Sequence, residues 1–162
     1  MTEEIEGWFA GRVPDDWFEG APEVVVDREE VTVVGAIAAP EAGAELGRVK
    51  RFREDTREAR MRIADEAELR FGRKVAWGVT VNGERYVFTH LAVPVMTRLR
   101  QSERGVLDTL IDAGVARSRS EALSWCVRLV DTHQGDWIQE LRDALVQVEE
   151  VRRRGPDGSP SS

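Results

Sequence analysis

The stretch from Leu91 to Thr132, LAVPVMTRLRQSERGVLDTLIDAGVARSRSEALSWCVRLVDT, decides the fold that we predict for the second half of the chain. It divides into a short apolar strand over residues 93–99, a helix, a turn and a second helix. Gly114 ends the first helix, because glycine readily adopts the left-handed conformation that follows many helices. Ser118 and Glu121 form a capping box, since their side chains bind otherwise unpaired amides at a helix start. Apolar residues recur with helical spacing on both helices, which predicts two amphipathic helices.

This order of elements resembles the ribbon-helix-helix family, which includes the Arc and MetJ repressors. The resemblance covers about residues 91–132, and the matching residues are Arg98-Leu99, Leu107-Asp108-Thr109-Leu110-Ile111, Gly114, Ser118-Arg119-Ser120-Glu121-Ala122-Leu123 and Val127-Arg128-Leu129. It implies a homodimer in which two strands pair into an antiparallel ribbon and four helices interlock. It also implies that the ribbon lies in the major groove of duplex DNA, with a backbone phosphate held at the start of the second helix.

The resemblance assigns candidate DNA contacts residue by residue. The groove-facing positions are Pro94, Met96 and Arg98, with Arg100 beside them, and the phosphate-holding positions are Ser118, Arg119 and Ser120. Pro94 has no N–H donor and Met96 offers apolar contact only, whereas Arg98 can contact guanine through two hydrogen bonds. We therefore expect a dimeric DNA-binding transcriptional regulator. The alternative is a dimeric protein-binding adaptor that keeps the same module without reading DNA.

The dipeptide Trp-Phe occurs twice near the N-terminus, as Trp8-Phe9 and as Trp17-Phe18. Glycines and prolines punctuate this segment, so we do not expect a long helix there. Two interpretations stay open. The aromatic residues either form an arm that docks on the core of this protein, or an exposed hook for a protein partner, since Trp and Phe make good interface anchors.

Residues 23–90 predict a small α+β layer. Two β-branched runs flank Asp27-Arg28-Glu29-Glu30, which indicates a hairpin. An apolar stripe of helical period follows over residues 44–72. A second hairpin spans residues 74–90 around Asn82-Gly83, a dipeptide typical of the type I′ turn. The predicted order is strand, strand, helix, strand, strand, and the ribbon-helix-helix-like segment and an amphipathic helix follow it.

The predicted helix over residues 44–72 carries a ridge of bases. Lys50, Arg53, Arg57 and Arg60 are spaced by three, four and three residues, so they share one face of a helix. This ridge is a candidate phosphate-binding surface. The alternatives are a solvated face or pairing with the acidic N-terminal block, where residues 1–45 hold twelve acids and two bases.

We divide the chain into four segments: 1–90, an α+β region with an acidic aromatic arm; 91–133, the ribbon-helix-helix-like module; 134–154, a C-terminal helix; and 155–162, a disordered tail. The C-terminal helix, with its apolar positions at helical spacing, either extends the dimer interface or folds back on its own chain. These alternatives remain open on the residues alone.

Composition restricts the classes of function. Cys126 is the only cysteine, which argues against disulfides and against a thiol metal site. The net charge of −7 argues mildly against free binding of nucleic acid. No apolar run is long enough for a membrane span, and no catalytic constellation is present. We expect a cytoplasmic, non-enzymatic protein with no cofactor, no metal and no membrane partner.

Overall fold

The computed structural model describes residues 1–156 and shows a mixed α+β architecture, as predicted. The chain forms two compact units, the first from Met1 to Val95 and the second from Met96 onward. The boundary therefore falls inside the predicted ribbon. Two residues of the predicted tail are described, and the remainder of it, 157–162, lies outside the described residues.

The first unit contains three helices and four strands. In chain order they are α1 (Thr2–Arg12), β1 (Glu23–Val26), β2 (Glu30–Ala36), α2 (Glu45–Asp55), α3 (Arg57–Phe71), β3 (Lys74–Val81) and β4 (Glu84–Val87). The strands form one sheet in the order β1-β2-β3-β4. The β1–β2 and β3–β4 pairs are antiparallel, whereas β2 and β3 are parallel and are joined by the crossover through α2 and α3.

Both predicted hairpins are present, and local chemistry explains them. Asp27 Oδ1 accepts hydrogen bonds from the amides of Glu29 and Glu30 at 2.8 and 2.7 Å, which closes the first turn. Asn82 and Gly83 both have positive φ, +51° and +80°, as a type I′ turn requires. The second hairpin ends at Val87, three residues before the predicted end.

The N-terminal segment differs from the prediction because residues 2–12 form the helix α1 in spite of two glycines. Its buried residues Ile5 and Phe9 pack against Trp77 of the sheet and Ile63 of α3. Arg12 at the end of α1 donates two hydrogen bonds to the Glu66 carboxylate, at 2.7 and 2.8 Å. Tertiary packing thus stabilises a helix that local propensity does not favour.

The helix predicted over residues 44–72 is divided at Thr56 into α2 and α3. The Thr56 hydroxyl donates to the carbonyl of Phe52 at 2.6 Å, the same oxygen that the Thr56 amide binds at 3.0 Å. A threonine side chain that competes for a backbone carbonyl in this way commonly bends a helix. The division places Phe52 and Val49 against Val79 and Val81 in a second core cluster.

The second unit consists of α4 (Gln101–Asp112), α5 (Arg119–His133) and α6 (Gly135–Arg154). Its core is small, since Leu107, Ala116 and Ala122 are its buried residues in the described part. The strand predicted over residues 93–99 is not formed within the single chain, and residues 88–100 hold no regular element. A strand requires a neighbouring strand for its amides and carbonyls, and this chain supplies none for that segment. No helix in residues 1–156 is long and apolar enough to cross a membrane.

Candidate nucleic-acid interface

The start of α4 is held by two hydrogen bonds directly after the predicted ribbon. The Arg100 amide donates to Glu103 Oε2 at 2.7 Å, and Arg104 Nη1 donates to the carbonyl of Leu99 at 2.6 Å. The first bond satisfies a backbone donor that has no partner within the helix. The chain therefore enters α4 in a defined conformation.

The turn between α4 and α5 is formed as the sequence predicts. Gly114 has a φ of +79°, and the amides of Val115 and Ala116 both point back to the Leu110 carbonyl, at 2.9 and 3.3 Å. These bonds satisfy a carbonyl that the end of the helix leaves without a partner. The two helices consequently lie close together around Leu107.

The predicted cap of α5 is also present. Ser118 Oγ accepts from the Glu121 amide at 3.1 Å, and Glu121 Oε2 accepts from the Arg117 amide at 2.7 Å. The Ala122 amide donates to the Ser118 carbonyl. The N–H groups of Arg119 and Ser120 therefore have no partner in the described first turn of α5. Amides at a helix N-terminus favour anions, which leaves this end of α5 chemically suited to a phosphate oxygen.

The side chain of Arg119 is engaged within the unit. Its Nε and Nη2 donate to the two oxygens of Asp108 at 2.9 and 3.0 Å, which joins α5 to α4. The hydrogen bond from Arg119 holds the pKa of Asp108 below its usual range, and Asp108 in turn raises the pKa of Arg119. Arg119 therefore has a structural partner besides its expected role at a phosphate, and the sequence showed no sign of this pair.

We expect Asp108→Asn to lower the melting temperature slightly at neutral pH, because an exposed ion pair contributes little stability. Since the folded-state pKa of Asp108 is depressed, its contribution is present above the unfolded-state pKa and is lost as pH falls through the folded-state value. Melting curves of wild type and variant should therefore converge in acid. A difference that persists or grows in acid would contradict this role of Asp108.

The predicted groove residues are accessible to solvent. Met96 is 96% exposed, and Pro94, Arg98 and Arg100 are exposed as well. Leu99, by contrast, packs against the core of the second unit. Arg98 has no side-chain partner within the described chain, so its guanidinium is available to a ligand.

Large apolar side chains of the second unit are exposed in the single chain. On α4 and α5 they are Val106, Val127, Leu129 and Val130, and on α6 they are Trp137, Leu141, Leu145, Val146, Val148 and Val151. The helix α6 has no buried residue at all. Exposed apolar side chains in such number commonly mark a protein interface when they lie together.

Three of the four ridge residues, Arg53, Arg57 and Arg60, lie close together. Arg60 is buried, and its Nη2 donates to the carbonyl of Arg53 at 2.7 Å. The charges of Arg53 and Arg57 both act on Arg60. Lys50 instead pairs with Glu54 at 3.8 Å. The sequence missed Phe88, whose ring lies beside two of these arginines, since no local pattern links it to them.

The four aromatic residues of the N-terminal segment contact the first unit. Phe9 is fully buried and lies edge-on to Trp8 at 4.9 Å and to Trp77 at 6.1 Å between ring centroids. Trp17 and Phe18 lie 5.9 and 5.6 Å from the ring of Phe52. A Cβ on Gly35 would overlap the Phe18 ring, so the glycine permits this close approach. These contacts are those of an arm docked on its own core rather than of an exposed hook.

Among residues 1–156, no group of three or more His, Cys, Asp or Glu side chains is arranged to hold a metal ion. Cys126 is partly buried and packs beside the core of the second unit. A thiol in such a position usually contributes to packing.

Two family models together match most of the chain. "Rv1265-like protein, N-terminal domain" matches residues 3–87, and "Mb1296 C-terminal domain" matches residues 100–152. The first range covers the α+β unit and the second covers α4, α5 and most of α6, so the predicted ribbon lies between them. No solved structure was found to match the chain.

Relatives were found in two mycobacteria. The uncharacterized proteins Rv1265 and MT1303 of Mycobacterium tuberculosis and Mb1296 of Mycobacterium bovis are each 60% identical to this chain over 156 residues. The match covers 93% of this chain and 69% of each relative. This chain therefore belongs to the Rv1265-like family, with an Rv1265-like N-terminal domain followed by a C-terminal domain of the Mb1296 type.

Proposed function

We propose that this protein is a dimeric DNA-binding transcriptional regulator of the ribbon-helix-helix type. The observation that carries the proposal is that residues 93–99 are unpaired, with 93–98 exposed, and lead directly into a capped two-helix unit. Two copies of that segment would provide each other with the hydrogen-bond partners that a single chain lacks. A twofold axis then pairs the same patch with itself.

Burial supports the dimer. A unit that begins at Met96 and buries only Leu107, Ala116 and Ala122 among its described residues has a very small core. Such a core contributes little stability on its own, because small units bury a small fraction of their surface. Covering the exposed apolar residues of α4, α5 and α6 with a second copy supplies the missing burial.

The polar groups support a role at DNA. Arg98 is exposed and without a side-chain partner in the described chain, and a guanidinium matches the O6 and N7 acceptors of guanine. The unpaired amides of Arg119 and Ser120 suit a phosphate, whereas the Arg119 side chain is already bound to Asp108. We therefore assign sequence reading to Arg98 and phosphate contact mainly to the backbone of the α5 N-terminus.

We expect duplex DNA to bind with an affinity that falls steeply as salt rises, because phosphate contacts release counterions. Arg98→Ala should reduce the preference for one sequence over another by roughly 1–3 kcal/mol, about 5- to 150-fold. The measurement is fluorescence anisotropy with a selected genomic duplex and a scrambled duplex of equal length. Arg142→Ala, which removes an exposed base from α6, is the charge-matched control and should leave the preference intact.

Two results would oppose this proposal. One is a failure of any genomic duplex to bind at low salt. The other is equal discrimination by wild type and Arg98→Ala. A stable dimer that binds no duplex would instead favour the protein-binding adaptor, in which the acidic residues 1–45 repel nucleic acid.

A further inference from the structure

Three arginines lie together where α2 passes into α3, and no carboxylate pairs with any of them among the described residues. Arg60 is only 7% exposed, and its Nε donates to the Thr56 hydroxyl at 2.9 Å. Its Nη2 donates to the Arg53 carbonyl at 2.7 Å. Both acceptors are neutral. A buried cation usually has an anionic partner, because neutral hydrogen bonds compensate poorly for the loss of its hydration.

An aromatic ring orients this group. The Cζ atoms of Arg60 and Arg53 lie 5.0 and 5.5 Å from the centroid of the Phe88 ring, within the range of cation–π attraction. Phe88 itself is held at the end of the sheet, since its amide donates to the Trp77 carbonyl at 2.7 Å. The Phe88 ring therefore contacts two guanidinium groups of like charge.

The charges near Arg60 are unfavourable without an anion. Burial first, and then the positive charges of Arg53 and Arg57, lower the pKa of Arg60. Of the acids interleaved with these arginines, Glu54 is paired with Lys50. Arg53 and Arg57 are exposed, so the cluster has one buried cation and two accessible ones.

We propose that Arg53, Arg57 and Arg60 form a phosphate-binding site whose occupant is a phosphodiester of duplex DNA. Arg60 is the fixed charge at the base of the site. The exposed Arg53 and Arg57 contact the phosphate oxygens from the solvent side. The planar guanidinium fork matches phosphate oxygens through paired hydrogen bonds. The identity of the occupant rests on the proposed DNA-binding function, whereas the phosphate chemistry of the site does not.

The test uses the full chain and a charge-matched pair of variants. Arg53→Gln with Arg57→Gln removes the two exposed members and leaves the buried Arg60 in place. Arg51→Gln with Arg62→Gln removes two other exposed bases from the same helices and is the control. We expect the first double variant to reduce the slope of log affinity for duplex DNA against log salt by about 1–2. The control should keep the slope of the wild type.

A second measurement detects phosphate binding at the site in the absence of DNA. Titration of inorganic phosphate should shift the Arg60 Nε–Hε signal in NMR spectra of the wild type and the control, and should leave it unmoved in the Arg53/Arg57 variant. If phosphate produces these shifts but the Arg53/Arg57 variant keeps the salt slope of the wild type, the site is still supported and its occupant is free phosphate. A signal that moves with neither inorganic phosphate nor duplex DNA overturns the proposal. Equal sequence discrimination by wild type and Arg98→Ala would overturn the proposed function and leave this titration intact.

Discussion

Replacement of Val95 with glutamate is expected to raise the dissociation constant of the proposed dimer by at least about 1000-fold, roughly 4 kcal/mol. Val95 is 85% exposed in the single chain, and alternation along a strand turns it away from the groove face of Met96. In a paired ribbon its side chain meets the helices of both copies. Twofold symmetry would bury two unpaired carboxylates in one interface, and each such burial costs several kcal/mol.

Met96→Glu is the matched control for this prediction. Met96 is also exposed, but in the proposed ribbon it would face the groove and lie outside the interface, so the variant should remain a dimer and lose affinity for DNA through charge repulsion. Sedimentation velocity over a range of protein concentrations measures both variants. Equal dissociation of the two variants, or none in either, would show that the strand does not pair as proposed.

Phe9→Ala should destabilise the first unit by about 3–5 kcal/mol, which is the usual cost of truncating a buried phenylalanine. Phe9 is fully buried and lies against Trp8, Trp77 and the core residue Ile63. Because domains have a total stability of about 5–15 kcal/mol, the change removes a large share of it. Urea unfolding followed by tryptophan fluorescence measures the loss as a lower midpoint.

Leu46→Ala is the control for Phe9→Ala. Leu46 lies on α2 and is 71% exposed, so its truncation should change stability by less than about 0.5 kcal/mol. An unchanged midpoint for Phe9→Ala would mean that the N-terminal aromatic residues do not dock on the sheet in solution. In that event the interpretation of Trp8 and Trp17 as a partner hook would regain support.

The two hairpins and the capped turn of the second unit were predictable because their causes are local. Asn82 and Gly83 tolerate positive φ whatever surrounds them, and they form the turn that this tolerance predicts. Ser118 and Glu121 reach amides within four residues of themselves. Bonds of this kind depend on the chain next to them and on little else.

Other features were not predictable because they depend on residues far apart in sequence. Arg119 binds Asp108 across the α4–α5 turn, and Arg60 lies beside Phe88, 28 residues further along. The helical spacing of the ridge suggested four equivalent bases on one face. Folding instead buried Arg60 and paired Lys50 with Glu54. Spacing alone cannot distinguish these outcomes, since burial depends on what packs against the helix.

The sequence alone determined four features of this protein: two hairpins, the position of the α4–α5 turn, the cap of α5 and the α+β class. Each follows from propensities and hydrogen bonds within a few residues. Only the tertiary structure decided that α1 forms and docks its aromatic residues, that Thr56 divides the long helix, and that 93–99 remains unpaired in a single chain. These outcomes depend on contacts between distant surfaces, where burial of apolar area outweighs local preference. The proposed ribbon would carry this dependence furthest, because its pairing would require a second chain.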